Sequence, residues 1–176
     1  DPDAVTQAVD AAAGALGGLD AVILTAGVFD FRGVGETSDE DWRRVLSINL
    51  DGPFHVARAA ERHLRETKGA LVLFSSQVGI IGHPRATAYA ASKAGVNGLV
   101  RTLAVEFAPW GGRVNGVAPG PIETGMTEIA RNDATRREGL IKSIPLGRFG
   151  QPEEVARAAL YLAAPGAGFI TGHVLV

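Results

Sequence analysis

Short apolar runs that alternate with helical stretches constrain the fold of this chain more than any other feature. The runs at 21–24, 70–74 and 114–118 have the length and character of buried strands, and a terminal strand is predicted at 173–176. Helices are predicted at 2–17, at 38–67 with a bend near Gly52-Pro53, at 88–108 and at 152–163. Residues 119–145 are predicted as a long excursion without an assigned element. This order predicts an α/β fold, a doubly wound parallel sheet with helices on both faces.

Composition narrows the classes of function. The 176 residues are 46% hydrophobic and 20% charged, which is typical of a single globular domain spanning residues 1–176. The lack of cysteine excludes disulfides and thiolate chemistry, and the four histidines lack metal-ligand spacing, so no metal is expected. A net charge of -2 without a basic block argues against a nucleic-acid binder. No apolar run reaches the roughly 18 residues of a membrane span. Small-molecule partners and a cytoplasmic location are expected.

Small or polar residues follow three of the predicted strands. They are Thr25-Ala26-Gly27, Ser75-Ser76 and Pro119-Gly120. In a parallel sheet of this kind, the ligand lies outside the carboxyl ends of the strands. Residues without bulky side chains let the backbone approach a ligand closely. The chemistry of this protein is therefore expected at this edge of the sheet.

The strongest chemical signal is Tyr89-Ala-Ala-Ser-Lys93, with Ser76 upstream. Tyr89 and Lys93 are four residues apart and share one face of a predicted helix. A nearby ammonium favours the phenolate and is expected to lower the pKa of a tyrosine, and a serine hydroxyl can hold a substrate oxygen. The alternative is coincidence, but chance would place a tyrosine four residues before a lysine in this chain with a probability of roughly 0.03. These three groups suffice for proton transfer to an alkoxide.

With these residues the chain resembles the short-chain dehydrogenase/reductase family, over essentially its whole length. The resemblance implies a Rossmann-like fold and an Asn–Ser–Tyr–Lys tetrad. Its members would be Asn49, Ser76, Tyr89 and Lys93. In the family the asparagine orders a water that leads from the lysine to solvent.

The resemblance also implies which residues bind a nicotinamide cofactor, either NAD or NADP. The segment from Arg113 to Thr124 is similar to the one that closes over the nicotinamide ring. The implied cofactor-binding residues are Ala26, Gly27, Asn49, Tyr89, Lys93, Pro119, Gly120, Ile122 and Thr124.

Two departures from the family pattern affect these expectations. The family usually has Asn-Asn-Ala-Gly where this chain has Leu24-Thr25-Ala26-Gly27, so hydrogen bonds of the second asparagine pass to Thr25 or are lost. No glycine-rich phosphate loop precedes the first predicted strand, and an Asp-Gly-Gly expected after Val176 is absent. We therefore expect a domain that is incomplete at both ends. Because the segment that reads the cofactor ribose is missing, the sequence does not distinguish NAD from NADP. Residues 1–176 alone are expected to bind dinucleotide poorly.

The expected function is interconversion of a ketone and a secondary alcohol. The pattern around Pro145-Leu146-Gly147-Arg148 most resembles 3-oxoacyl-thioester reductases, such as 3-oxoacyl-(acyl-carrier-protein) reductase. A sugar, polyol or steroid dehydrogenase is the alternative within the family. A non-catalytic binding or scaffold relative is the alternative from another class, and an intact tetrad argues against it. A homo-oligomer, specifically a tetramer, is expected because the helices at 53–67 and 88–108 are apolar and rich in small residues.

Overall fold

The protein is an α/β domain, described over all 176 residues by a computed structural model. Four parallel strands form one sheet in the order β1-β2-β3-β4. The strands are β1 (Ala21–Leu24), β2 (Ala70–Phe74), β3 (Arg113–Val117) and β4 (Val174–Leu175). The α-helices are α1 (Pro2–Leu16), α2 (Asp39–Leu46), α3 (Gly52–Thr67), α4 (Thr87–Phe107), α5 (Glu128–Asn132), α6 (Ala134–Ser143) and α7 (Pro152–Ala163). The predicted fold class is confirmed.

Alternating side chains of β2 divide the core into two layers. Leu71 and Leu73 are fully buried in the larger cluster, which also holds residues of α1, α3 and α4. Val72 points the other way, into the smaller cluster formed with Ala159 and Leu162 of α7. Because successive side chains of a strand face opposite sides of a sheet, a continuous apolar run is stable only when both sides are covered. The helices of the two layers provide that cover.

The bend predicted in the long helix is a short π-helix at Ser47–Asp51, which separates α2 from α3. Pro53 lies just after the π-helix, at the second residue of α3, and lacks the N–H that a continuous α-helix would use. At the other end, Ser38 caps α2 by accepting a hydrogen bond from the Asp41 amide at 3.1 Å. The π-helix places Asn49 in a fully buried position.

The excursion at 119–145 contains structure that hydrophobic periodicity did not predict. It includes α5 and α6, both amphiphilic only weakly and without buried residues. A single parallel bridge between Ile122 and Gly150 connects its start to the segment before α7. No helix in the protein combines the length and apolar character that crossing a bilayer requires.

Candidate active site

Ser76 lies two residues beyond the end of β2 and is almost fully buried. Its hydroxyl oxygen accepts a hydrogen bond from the Val78 amide at 3.2 Å and so caps a single 3₁₀ turn at Gln77–Gly79. The preceding Ser75 donates from its hydroxyl to the Lys93 carbonyl at 3.1 Å. This bond attaches the end of β2 directly to α4. The turn therefore holds Ser76 against the helix that carries the tyrosine.

Tyr89 and Lys93 lie one helical turn apart near the start of α4, and only 8% and 5% of their surfaces are exposed. The Lys93 ammonium nitrogen lies 5.7 Å from the centroid of the Tyr89 ring. It also donates a hydrogen bond to the Phe74 carbonyl at 2.7 Å. The residues predicted from the Tyr–Lys spacing and the upstream serine are thus brought together by β2 and α4.

Burial dominates the electrostatics of this pair. Burial raises the pKa of the Tyr89 phenol, and the adjacent Ser76 hydroxyl opposes that rise in part. Burial also lowers the pKa of the Lys93 ammonium to about 8. In the protein alone, burial therefore outweighs any lowering of the Tyr89 pKa by Lys93, and the net shift is opposite to the expected one. The physical reason is that the ammonium is bonded to the Phe74 carbonyl, while removal from water penalises both charged forms.

Asn49 lies behind the cleft, and both polar atoms of its side chain form hydrogen bonds. Its Oδ1 accepts from the Val28 amide at 2.8 Å, while its Nδ2 donates to the Val28 carbonyl at 2.9 Å and to the Ser92 hydroxyl at 3.2 Å. A β-carbon placed on Gly27 would lie 3.3 Å from Asn49 Oδ1 and 3.5 Å from Lys93 Nζ. Asn49 and Lys93 therefore both lie beside the space that a Gly27 side chain would fill. π-Helical turns of this kind are frequent at functional sites.

The tyrosine, lysine and serine line one cleft of about 530 Å³ at the carboxyl ends of the strands. Most residues implied to bind the cofactor line the same cleft: Gly27, Tyr89, Lys93, Pro119, Gly120, Ile122 and Thr124. Ala26 does not line the cleft and is exposed, and Asn49 lies behind it. Ala26 and Asn49 are therefore the two predicted cofactor-binding residues that do not line the cleft.

Several cleft residues were not singled out in the sequence. Val155, Ala156, Ala159 and Leu160 form an apolar strip on α7, and Phe74 is the last residue of β2. A further pair, Met126 and Thr127, lies beyond the nicotinamide segment. The amphipathic pattern of α7 was visible, but the pattern alone does not tell which part of its apolar face closes a cleft.

The residues at the end of β3 fit a nicotinamide ring. The bridge to the segment before α7 uses the Gly150 amide, which donates to the Pro121 carbonyl at 3.0 Å, and the Glu123 amide, which donates to the Gly150 carbonyl at 2.9 Å. The Ile122 amide between them takes no part in this bridge and lines the cleft. It is therefore available to a carboxamide oxygen. Gly27 leaves open the space that a side chain would fill next to Lys93 Nζ.

Gly79 provides a test of how tightly the serine turn is held. A β-carbon there would lie 2.6 Å from the carbonyl carbon of Lys93 and 2.8 Å from the amide nitrogen of Ala94. We expect Gly79→Ala to destabilise the protein by about 1–3 kcal/mol, as overpacking typically does, and to lower kcat/KM because the turn carrying Ser76 must move. Urea denaturation and steady-state kinetics measure both effects. Gly82→Ala is the control, since a β-carbon at Gly82 meets nothing within 4 Å; equal behaviour of the two variants would contradict the prediction.

Comparisons with known proteins agree with this geometry. A family model described as "Enoyl-(Acyl carrier protein) reductase" matches residues 1–176. The 3-oxoacyl-(acyl-carrier-protein) reductase FabG of Thermotoga maritima is 42% identical over 176 residues, which cover 99% of this chain and 71% of the relative. Galactitol 2-dehydrogenase (L-tagatose-forming) of Cereibacter sphaeroides is 39% identical, with 99% of this chain and 70% of the relative covered. The chain thus spans about 70% of the length of both relatives.

Among solved structures, an NAD⁺-bound xylitol dehydrogenase superposes with a TM-score of 0.93 at 29% identity, covering 99% of this chain and 74% of that protein. The superposition covers the whole sheet and the helices around it, because nearly the whole chain is matched. The chain therefore belongs to the short-chain dehydrogenase/reductase family of NAD(P)-dependent oxidoreductases that act on CH–OH groups.

Proposed function

We propose that the site interconverts a ketone and a secondary alcohol, with Tyr89 as the acid and base. The observation that carries the proposal is the joint placement of Ser76, Tyr89 and Lys93 in one cleft with Gly120 and Ile122. A proton donor, a hydrogen-bond donor and a cation thus lie beside residues suited to a nicotinamide ring. A general acid must lie within hydrogen-bond reach of the oxygen that it protonates, and this arrangement permits that.

The roles follow from the chemistry of each side chain. The bound cofactor, NAD or NADP, supplies hydride exchange at the carbonyl carbon. Ser76 and Tyr89 hydrogen-bond the carbonyl oxygen, and the Tyr89 hydroxyl gives it a proton in reduction and takes the proton back in oxidation. Lys93, still largely protonated at neutral pH with a pKa of about 8, stabilises the phenolate and can donate to the ribose hydroxyls. Asn49, beside Gly27 and close to Lys93, supports the path by which the proton is restored.

We propose a 3-oxoacyl thioester as the substrate of this reaction. Two observations support it, the similarity to the FabG reductase and the segment around Pro145-Leu146-Gly147-Arg148. In the structure Arg148 makes a two-fold ion pair with Glu154 at 2.8 and 2.7 Å and donates to the Phe149 carbonyl at 3.0 Å. This pair fixes the end of the excursion against the first turn of α7, at the border of the cleft.

A sugar or polyol dehydrogenase is the second candidate, because the galactitol dehydrogenase is nearly as similar in sequence. A steroid dehydrogenase of the same family is a further alternative. A non-catalytic scaffold is less well supported, because a scaffold does not need the four tetrad residues and this chain has all of them.

The substrate proposal is tested by assaying the protein with acetoacetyl thioester, L-tagatose and a keto-steroid, each with NADH and NADPH. We expect the thioester to give the highest kcat/KM, by tenfold or more. The substrate proposal is overturned by a higher value for the sugar or the steroid. The reaction proposal is overturned if none of the three is reduced with either cofactor.

A homo-oligomer, specifically a tetramer, remains a proposal, as does a cytoplasmic location. Two exposed apolar side chains on the long helices support the oligomer: 43% of Phe54 on α3 and 75% of Val105 on α4 are open to solvent. Burial of such side chains would stabilise an assembly of this chain.

A further inference from the structure

Three aromatic rings follow one another from Tyr89 outward, and none of them lines the cleft proposed for the cofactor. The Phe29 ring lies edge-on to the Tyr89 ring with 4.9 Å between centroids. Phe31 lies 6.0 Å from Phe29, and His83 lies 6.0 Å from Phe31. We call Phe29, Phe31 and His83 the aromatic wall. It combines the loop after β1 with the loop between Ser76 and α4, so both loops that adjoin the catalytic tyrosine contribute to it.

The two phenylalanines of the aromatic wall are open to solvent although their rings are apolar. Phe29 and Phe31 are each 39% exposed, and Ile80 and Ile81 in the second loop are more exposed still. Apolar side chains gathered at an exposed surface beside a functional site are a common sign of a ligand contact. None of the wall residues lines the cleft that holds the implied nicotinamide contacts. The wall is therefore suited to the substrate rather than to the cofactor.

Charges around the wall are already paired within the protein. Arg85 forms an ion pair with Glu36 at 2.9 Å and lies 5.3 Å above the Phe31 ring. Arg32 forms ion pairs with Asp30, at 3.4 Å, and with Asp41. The Arg85–Glu36 pair also ties the two loops together, because its two members come from different loops. A phosphate or carboxylate on a substrate could bind Arg85 or Arg32 only by breaking the ion pair that this arginine already forms.

We propose that the aromatic wall selects ketones with a hydrocarbon substituent over ketones with hydroxylated or anionic ones. The proposal rests on the ketone–alcohol chemistry proposed above. The apolar rings of Phe29 and Phe31 bind a methylene chain or an alicyclic ring by removing its surface from water, but they offer no partners to the hydroxyls of a sugar or polyol. Phe29 is the specificity-determining residue, because it is the wall member in contact with Tyr89.

A matched pair of ketones tests this inference. Methyl ethyl ketone and hydroxyacetone have nearly the same shape and differ by a methyl in place of a hydroxyl. We expect kcat/KM of the parent to be higher for methyl ethyl ketone, and to rise about fourfold with each methylene added through methyl propyl and methyl butyl ketone, the value for a buried methylene. In Phe29→Asn we expect the ratio within the pair to fall at least fivefold and the rise with chain length to flatten.

Controls separate the possible failures. Phe29→Leu keeps an apolar side chain and is expected to keep the order of preference. Phe169→Asn changes a phenylalanine that is fully exposed and should have no effect. Fluorescence titration of the reduced cofactor should give the same affinity for all three variants. If the parent reduces none of these ketones and none of acetoacetyl thioester, L-tagatose and the keto-steroid, the proposed ketone–alcohol reaction fails. If it reduces them but favours hydroxyacetone, or if Phe29→Asn leaves the ratio unchanged, only the aromatic-wall inference fails.

Discussion

Tyr89→Phe is expected to lower kcat by about 10²–10⁴-fold, the usual contribution of a general acid, while the affinity for cofactor changes little. The substitution removes only the hydroxyl. The ring keeps its edge contact with Phe29 and its buried position in α4, so the shape of the cleft is retained. Without the phenol, the site loses the acid that is proposed to give its proton to the carbonyl oxygen.

Steady-state kinetics and fluorescence titration of the reduced cofactor measure the two halves of this prediction. Tyr161→Phe is the matched control, since Tyr161 is the second tyrosine of the chain and is about half exposed on α7. Activity of Tyr89→Phe within about threefold of the parent would remove Tyr89 from the role of general acid, because the smallest expected contribution is about a hundredfold.

Lys93→Met is expected to abolish most activity and yet to make the protein more stable at neutral pH. The Lys93 ammonium is almost fully buried and has no carboxylate partner, so its pKa falls from 10.5 to about 8. A shift of that size corresponds to a cost of ~3 kcal/mol for the charged form in the folded protein. Methionine has nearly the same length and carries no charge. Loss of the hydrogen bond from the ammonium to the Phe74 carbonyl costs about 1.5–3 kcal/mol, which leaves a net gain of at most about 2 kcal/mol.

The sign of the pH dependence follows from the depressed pKa of a cation. Below pH 8 both the folded and the unfolded parent carry the proton, and the cost of burying the charge is paid in full. As the pH rises from about 8 toward 10.5, the folded parent loses the proton before the unfolded chain does, so the free energy of unfolding of the parent increases. The advantage of Lys93→Met should therefore be largest at pH 7 and shrink through this window.

Urea denaturation of both proteins at several pH values between 7 and 10 measures this trend. Lys142→Met is the control, because Lys142 lies on the surface in an ion pair with Glu138 and should change stability by less than about 1 kcal/mol at every pH. A variant that is less stable than the parent at pH 7, or a difference that does not change with pH, would show that burial of Lys93 carries no such cost.

The sequence by itself determined the main elements of the fold and the centre of the site. The predicted bounds of β1, β2 and α7 agree with the structure, because a strand or helix covered by others must repeat apolar residues with its own period. The four-residue spacing of Tyr89 and Lys93 is equally local, since one helical turn brings both side chains to the same face. These features depend on residues that are close in the sequence, and hydrophobic periodicity is a pattern of such residues, so the sequence predicts them.

Only the tertiary structure decided which distant residues meet. Asn49 lies beside Gly27 and close to Lys93 because a π-helix turns it inward. The Gly52-Pro53 pair predicts a bend in the helix but not the buried position of Asn49. The aromatic wall joins two loops that are about fifty residues apart, and α5 and α6 form where the apolar pattern is weak. The pKa values of Tyr89 and Lys93 likewise depend on how much protein surrounds them, since burial is a property of the packed molecule. Contacts between loops follow from the order of strands in the sheet, which local periodicity does not encode.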